Sequence, residues 1–400
     1  MKFGIIKERK NPPDRRVVFS PNALLELKQI YPEVEIKVES SDFRVFTDKE
    51  YQNLNIAVEN DISDCAIFLG VKEVPIDALI PNKTYFFFSH TIKEQPHNQK
   101  LLQAILKYKI DLYDYETIVN QYNIRLIGFG KYAGIVGAYN AIRAFGIKFE
   151  LFKLPKAATL SGKEALITHL KRIVLPPLKF VVTGTGKVGG GVAAVFDAIK
   201  IKKVSPEDYL TKKYAQAVYT QIDVLDYNKR KDGQVIDNND FFENPQDYSS
   251  DFERFTKVSD IYITAHFHAN NAPVILTREM LQANNCKLKI VADISCDVNG
   301  SIACTLRSST TDEPLYGYLP SENKEVEVFH PAAIVVMAVD NLPCELPKEA
   351  SEGFGEMFLE HVMPAFFNGD KDGILQRAKI TEKGKLTTRY SYLQDYVDGK

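Results

Sequence analysis

Side chains able to carry protons or hold anions recur at one kind of place in the first third of this 400-residue chain. Lys72 and Glu73 end the apolar run AIFLGVKE. His90 and Lys93 follow YFFFS, Glu116 ends LYDYE, Arg125 opens RLIGFG, and Arg15 and Arg16 follow the first apolar run in KERKNPPDRR. Singly, each has an ordinary explanation: a Lys-Glu pair is surface charge, an arginine is solvated or paired, and a histidine on an apolar strand is a satisfied core residue. Together they deliver Lys, His, Glu and Arg to the ends of successive strands. In an open parallel sheet, ligands bind beyond the carboxyl ends of the strands. The chemistry open to such a set is proton transfer on a substrate that carries anionic groups.

The elements that must position these residues are legible as a rhythm. KFGII, EIKVE, CAIFLGV, KTYFFFSH and IDLYDYE have the character of strands, and PNALLELKQIY and NQKLLQAILKYK between them carry helical spacing. This βαβ pattern predicts a parallel α/β domain over residues 1–130. The stretch GKYAGIVGAYNAIRAFG is rich in small residues and predicts a long helix passing close to another backbone, a linking helix within 131–154. A further helix over 164–175 stops at Pro176 and Pro177. Residues 211–258 read as a polar insertion with short helices, DIYITAHF and KLKIVADIS as renewed strands, and LPKEASEGFGEMFLEHVMPAFF as a helix. The expected fold class is α/β: two Rossmann-like domains with parallel sheets separated by a cleft. Residues 1–130 with 345–400 form the substrate domain and 155–344 the dinucleotide domain.

The second domain opens on LKFVVTGTGKVGGGVAAVFDAIK, a strand, a glycine loop and a helix. In Gly184-Thr185-Gly186-Lys187-Val188-Gly189 the first glycine permits the tight turn, the second lets the backbone approach a pyrophosphate, and the third lets helix and strand pack closely. The helix amino terminus offers N–H groups to the anion. An acidic residue is expected about 20 residues on, holding the ribose 2′-hydroxyl. Glu207 and Asp208 lie near that place, while Ser205 with Lys202 and Lys203 suits a 2′-phosphate, so NAD and NADP both remain open. His266 and His268 would share one face of a strand, but no third ligand has suitable spacing; they read as a loop at the mouth of the cofactor domain, and no metal is expected.

Lys plus Arg is 50 and Asp plus Glu 52, a net charge of −2, which excludes a broad electrostatic footprint for nucleic acid. No apolar run approaches the roughly 18 residues of a membrane span. MKFGIIKERK is too charged for a secretory signal, so a cytoplasmic protein is expected. The five cysteines are scattered without a CxxC pair, which indicates neither a disulfide framework nor a zinc site.

FLGVKEVP, KTYFFFSHTIK, LYDYETIV, FGKYAGIVGA, FVVTGTGKV, VADIS with GSI, and VDNLPCELPKEASEGFGEM together resemble the lysine–ketoglutarate reductase half of aminoadipic semialdehyde synthase. They resemble more loosely the lysine-forming saccharopine dehydrogenases; both belong with alanine dehydrogenase in one superfamily. The resemblance runs from KERKNPPDRRVVFSP to KITEKGKLTTRYSYLQDY. It implies a reaction in which lysine and 2-oxoglutarate condense to an imine that a reduced nicotinamide cofactor converts to saccharopine. The family's catalytic lysine falls on Lys72 and its catalytic histidine on His90. Its substrate-binding residues fall on Arg16, Lys93, Glu116 and Arg125, and the aspartate near the nicotinamide on Asp340.

The residue types suit that chemistry. Arginines bind carboxylates bidentately. Loss of water from a carbinolamine needs a proton carrier near neutrality, which His supplies and a partly desolvated Lys beside other cations approaches. The resemblance leans the cofactor toward NADP, although the loop reads KVGGG, richer in glycine than the family pattern. A glutamate-forming second step would fall to a separate protein, and a homo-oligomer is left open. The alternatives are alanine dehydrogenase or another opine-type amino acid dehydrogenase and, in a different class, a non-catalytic dinucleotide-binding redox sensor, which would need neither Lys72 nor His90.

Overall fold

Every residue of the run Tyr85–Ser89 is buried, because its strand lies in a parallel sheet covered on both faces. The computed structural model describes residues 1–10, 14–234, 237–268 and 271–400. They form two units, Met1–Phe129 with Pro347–Lys400, and Gly130–Leu346.

The sheet of the first unit has six strands: β1 (Lys2–Ile5), β2 (Glu35–Glu39), β3 (Ala57–Glu59), β4 (Ile67–Leu69), β5 (Thr84–Phe87) and β6 (Asp111–Asp114). Helices α1 (Pro21–Ile30), α2 (Asp48–Gln52) and α3 (Pro96–Lys107) alternate with them. The order is β3-β2-β1-β4-β5-β6 and every pairing is parallel, with Ile5 beside Leu69, Leu69 beside Phe86 and Phe87 beside Asp114. Alternate residues of β5 serve opposite cores. Phe86 and Phe88 pack with Ile5, Leu69, Leu24 and Leu27 of α1, and Phe354 and Phe358 of the helix Pro347–His361. Tyr85 and Phe87 pack with Phe68, Leu101, Leu102 and Ile105 of α3, and Leu393. The strand order reverses between β1 and β4, which opens a crevice at their carboxyl ends.

The second unit begins with α4 (Gly130–Lys148) and α5 (Lys163–Lys171), then β7 (Lys179–Thr183), α6 (Lys187–Ala198), β8 (Lys202–Lys203), α7 (Pro206–Thr211), β9 (Val218–Ile222) and α8 (Val224–Tyr227). A two-stranded ribbon of β10 (Asn228–Arg230) and β11 (Tyr248–Ser250) precedes β12 (Ile261–Thr264), β13 (Ile290–Asp293), β14 (Leu315–Leu319), β15 (Lys324–Val326) and β16 (Ile334–Met337). The main sheet runs β15-β14-β16-β13-β12-β7-β9-β8, with β14 antiparallel to both its neighbours and the other pairings parallel.

The helix expected between the domains is therefore the first element of this unit. A Cβ on Gly134 would lie 2.0 Å from the Val188 carbonyl oxygen, and one on Gly191 would lie 2.1 Å from that of Lys131. The small residues of α4 and the last glycine of KVGGG thus let α4 and α6 meet backbone to backbone.

One expectation is corrected. Val218–Ile222, assigned to a polar insertion over 211–258, is β9, paired along its length with β7 and buried at Val218, Tyr219, Thr220 and Ile222. Thr220 and Gln221 break the apolar run that would have announced it. The aromatic residues that follow, Phe241, Tyr248, Phe252 and Phe255, join a core with Tyr209 and Tyr262.

Glu345 is 4% exposed, accepts a hydrogen bond from Asn140 Nδ2 at 3.2 Å, and is pushed by burial up to about 7 from 4.5. With the folded pKa above the unfolded one, its contribution to stability is full below pH 4.5 and is lost as pH rises through 7. Glu345→Gln keeps an acceptor and removes the titration. It should cut the fall in unfolding free energy between pH 6 and 8 by about 1 kcal/mol, measured by urea unfolding at both pH values. An unchanged pH dependence would contradict this.

Candidate active site

Three strand ends of the first unit build one side-chain system. After β5 the chain must turn, and Asp114 at the end of β6 sets how. Its carboxylate accepts the Ser89 N–H at 3.0 Å and the Ser89 hydroxyl, and Ser89 Oγ lies 2.8 Å from Thr91 Oγ1. Both neighbours of His90 are thereby turned inward. His90 takes φ +54°, a left-handed conformation that is uncommon for a residue with a side chain. Its ring leaves the strand's alternation and meets Glu73, which follows β4: Nδ1 donates to Oε1 at 2.6 Å.

Lys10 Nζ donates to the other Glu73 oxygen at 3.0 Å. Burial opposes the Glu73 charge, but the bonds from His90 and Lys10 outweigh it and hold the carboxyl at about 2. A carboxylate can only accept, so Nδ1 carries a hydrogen and Nε2 is the nitrogen left to exchange a proton. A group whose folded pKa lies below its unfolded 4.5 stabilises above that pH and loses the effect as pH falls toward 2. Glu73→Gln should cost about 1 kcal/mol at pH 7, the scale of a half-buried pair, and almost nothing near pH 2. Thermal unfolding at both pH values checks this; an equal cost at both would sink it.

Glu116, just past β6, has Oε1 at 3.0 Å from Arg125 and 3.3 Å from Lys93 Nζ. Its Oε2 is buried without a hydrogen-bond partner. Burial works to raise this carboxyl, and the charges of Lys93, Arg125 and His90 together lower it. Two cations share this carboxylate, and both side chains are nearly half exposed, a setting that suits a further carboxylate from solution. Lys72 is half-buried at the end of β4, adjacent in sequence to Glu73.

Arg16 differs from the simple expectation of a guanidinium reserved for substrate. It is 3% exposed, lies 4.2 Å from the centre of the Phe129 ring, and donates from Nε and NH2 to the Asp14 carboxylate at 3.0 and 2.6 Å. The sequence reading noted Glu73 at its strand end without pairing it to His90, and it passed over Asp14 and Glu8. The adjacency of Lys72 and Glu73 was the available signal for the first, and the two-residue spacing of Asp14 and Arg16 for the second; nothing local marks Glu8.

In the second unit the glycines of the loop divide by cause. Gly184 has φ +96°, and a Cβ there would lie 2.4 Å from the Ala265 carbonyl oxygen. A Cβ on Gly189 would lie 2.1 Å from the Gly184 carbonyl oxygen. The protein itself requires both. Gly186 has φ −78° and no atom within 4 Å of where its Cβ would be. That open space leaves the amino terminus of α6, which has no side-chain cap, accessible to close approach. Thr185 and Lys187 are exposed beside it and Val188 is half-buried. This loop fits a dinucleotide.

His266 supports the loop from below. Its Nδ1 lies 2.6 Å from Thr183 Oγ1 and its Nε2 2.9 Å from Ser301 Oγ. Burial pushes its pKa down to about 3, so the ring is neutral. His266 therefore spends both nitrogens on hydroxyls, and among the described residues no group of three His, Cys, Asp or Glu is placed to hold a metal.

Ser205, Glu207 and Asp208 do not reach the loop as the spacing suggested. Ser205 caps α7 by accepting from the Asp208 N–H, and Asp208 pairs with Lys212 at 2.8 Å. β9 lies between β8 and β7, so these residues stand one strand too far out. The acid at the carboxyl end of the strand beside β7 is Asp223, which accepts from the Val224 N–H at 2.7 Å and from Asn238 Nδ2 at 3.0 Å. Asp340 is exposed, three residues past β16, with its N–H donating to the Ser309 carbonyl at 3.1 Å. No helix among the described residues is long and apolar enough to cross a membrane.

The family model described as alanine dehydrogenase/PNT, N-terminal domain, matches residues 4–136, and its C-terminal companion matches residues 210–391. Alpha-aminoadipic semialdehyde synthase of Arabidopsis thaliana is 29% identical over 98% of this chain and 41% of its own length. The mitochondrial protein of that name from Bos taurus is 27% identical over 98% and 47%. The chain thus spans about half the length of these curated relatives. Saccharopine dehydrogenase (NAD(+), L-lysine-forming) of Schizosaccharomyces pombe is 26% identical over 86% of this chain and 88% of its own. Among solved structures, an L-alanine dehydrogenase shares the fold at TM-score 0.65 and 15% identity, covering 100% of this chain and 99% of that one. A transhydrogenase from Sinorhizobium meliloti does so at 0.61 and 16%, covering 97% and 100%. With both domains matched, the chain belongs to the alanine dehydrogenase/PNT family.

Proposed function

We propose that this protein is a nicotinamide-dependent reductase that condenses the side-chain amine of lysine with 2-oxoglutarate to form saccharopine. The observation that carries the reading is the His90–Glu73 pair next to the Lys93–Glu116–Arg125 cluster, a proton carrier beside a cationic pocket for carboxylates. The relatives whose names specify lysine-forming saccharopine dehydrogenase and aminoadipic semialdehyde synthase support it.

Lys93 and Arg125 hold substrate carboxylates, with Glu116 fixing both cations in place. Lys72 takes the proton from the attacking amine and returns it to the departing hydroxyl of the carbinolamine, so that water leaves and the imine forms. His90 Nε2 exchanges the proton of the secondary amine, with Glu73 holding the imidazolium. When bound, the dinucleotide supplies the hydride that reduces the carbon–nitrogen double bond. Gly184, Gly186 and Gly189 with the start of α6 would hold its pyrophosphate, and Asp223 would hold its ribose. An acid beside the ribose favours NAD, against the lean of the resemblance toward NADP.

The test is the initial rate of NADH and NADPH oxidation with lysine plus 2-oxoglutarate, each omitted in turn, and with pyruvate plus ammonia. Oxidation that needs both lysine and 2-oxoglutarate and yields saccharopine supports the reading. Oxidation with pyruvate and ammonia alone would favour an alanine dehydrogenase. None with any pair, with dinucleotide binding intact, would favour the redox sensor.

A further inference from the structure

Glu8 lies three residues past β1, on the strand beside the switch point, and is absent from the machinery above. The ladder between β1 and β4 ends where the Ile6 N–H donates to the Leu69 carbonyl at 3.1 Å. Beyond it the N–H groups of Val71 and Lys72 have left the ladder, and Val71 is fully buried, so they need another acceptor. Glu8 provides it: Oε1 accepts the Val71 N–H at 2.7 Å and Oε2 the Lys72 N–H at 2.8 Å. The far side of the same peptide is also tied, since the Phe88 N–H donates to the Val71 carbonyl at 3.0 Å. Phe88 is two residues from His90. The backbone that carries Lys72 is thus held by β1 on one side, through a carboxylate, and by the strand that carries His90 on the other.

We propose that Glu8 is a positioning residue, whose carboxylate clamps the Val71–Lys72 backbone and so fixes where the Lys72 amine is presented. This rests on the reading of Lys72 as the group that moves protons. The clamp is complete only for the carboxylate, because a hydrogen on one oxygen removes one of its two acceptors. Burial raises the Glu8 carboxyl to about 7, with Asp14 adding to the rise and the two amide bonds and Arg16 opposing it. Tyr115, whose hydroxyl is buried without a hydrogen-bond partner, also feels the Glu8 charge.

Glu8→Gln tests this directly, since its amide group turns one acceptor into a donor facing a backbone N–H. Three quantities are measured on the full chain: hydrogen exchange at the Val71 and Lys72 amides, acetic anhydride labelling of the Lys72 amine against pH, and kcat with KM. Exchange should speed up by about tenfold or more at those amides alone. The labelling profile of Lys72 should shift, and kcat should fall about a hundredfold, as expected for a reacting group displaced by roughly 1 Å. KM for the dinucleotide should stay within about twofold, as for a change confined to a step after binding. Glu8→Asp, which keeps the charge and shortens the reach, should show the same pattern and stands in if the glutamine variant does not fold. Unchanged exchange overturns the clamp. Faster exchange with Lys72 labelling unaltered overturns the positioning role and leaves a purely structural carboxylate. If the parent protein shows no lysine-dependent turnover, the proposed reaction fails, and exchange with labelling still decides the role of Glu8.

Discussion

Lys72→Met should lower kcat with lysine and 2-oxoglutarate by about 10²–10⁴-fold, the range for losing a positioned acid–base group. Methionine keeps much of the length and apolar bulk of the lysine stem, so packing around a half-buried position changes little. What disappears is a group able to take a proton from the incoming amine and return it to the leaving hydroxyl. In the proposed scheme His90 Nε2 serves the secondary amine, so these two transfers rest on Lys72. Dinucleotide binding, proposed for the second unit, should be unaltered. Stopped-flow single turnovers separate the cases: slow reduction with normal binding supports the role, and turnover near the parent's would remove Lys72 from the mechanism.

Gly186→Val should weaken dinucleotide binding by about a hundredfold, near 2.7 kcal/mol, with stability changed by no more than about 1 kcal/mol. The contrast within one loop makes this prediction sharp. A side chain at Gly184 or Gly189 would overlap backbone atoms at 2.4 and 2.1 Å and disturb the fold itself. At Gly186 the backbone already suits a residue with a side chain, and beyond the adjoining backbone no protein atom lies within 4 Å of the new Cβ. A branched side chain there meets only whatever approaches the first turn of α6. Titration of NADH fluorescence alongside thermal unfolding reads both quantities. Parent-like affinity in a well-folded variant would mean the pyrophosphate does not lie on this loop.

The continuous apolar run of β5 was legible because a strand buried on both faces needs no alternation, and that same run pointed to His90 as a residue out of character. The glycine loop was legible because tight turns and backbone contacts leave few residue types available. So was the placement of Lys72, His90 and Glu116 just past strand ends, since the βαβ rhythm of the chain puts the carboxyl ends of parallel strands on one edge. β9 was not legible, because Thr220 is buried in the sheet and Gln221 is spent on the loop, its Nε2 donating to the Gly184 carbonyl at 2.9 Å. That hidden strand displaced Ser205, Glu207 and Asp208 and put Asp223 beside β7 instead.

Types and order of residues, then, determined the two parallel sheets, the loop and the roster of groups able to do chemistry, since each follows from local burial or local backbone freedom. Tertiary structure alone decided the pairings. Glu73 meets His90 only because Asp114, on a third strand, turns both neighbours of the histidine inward. Lys72 is held from its backbone by Glu8, 64 residues earlier in the chain. Contacts between strands depend on which strands become neighbours, and a one-dimensional pattern does not contain that register.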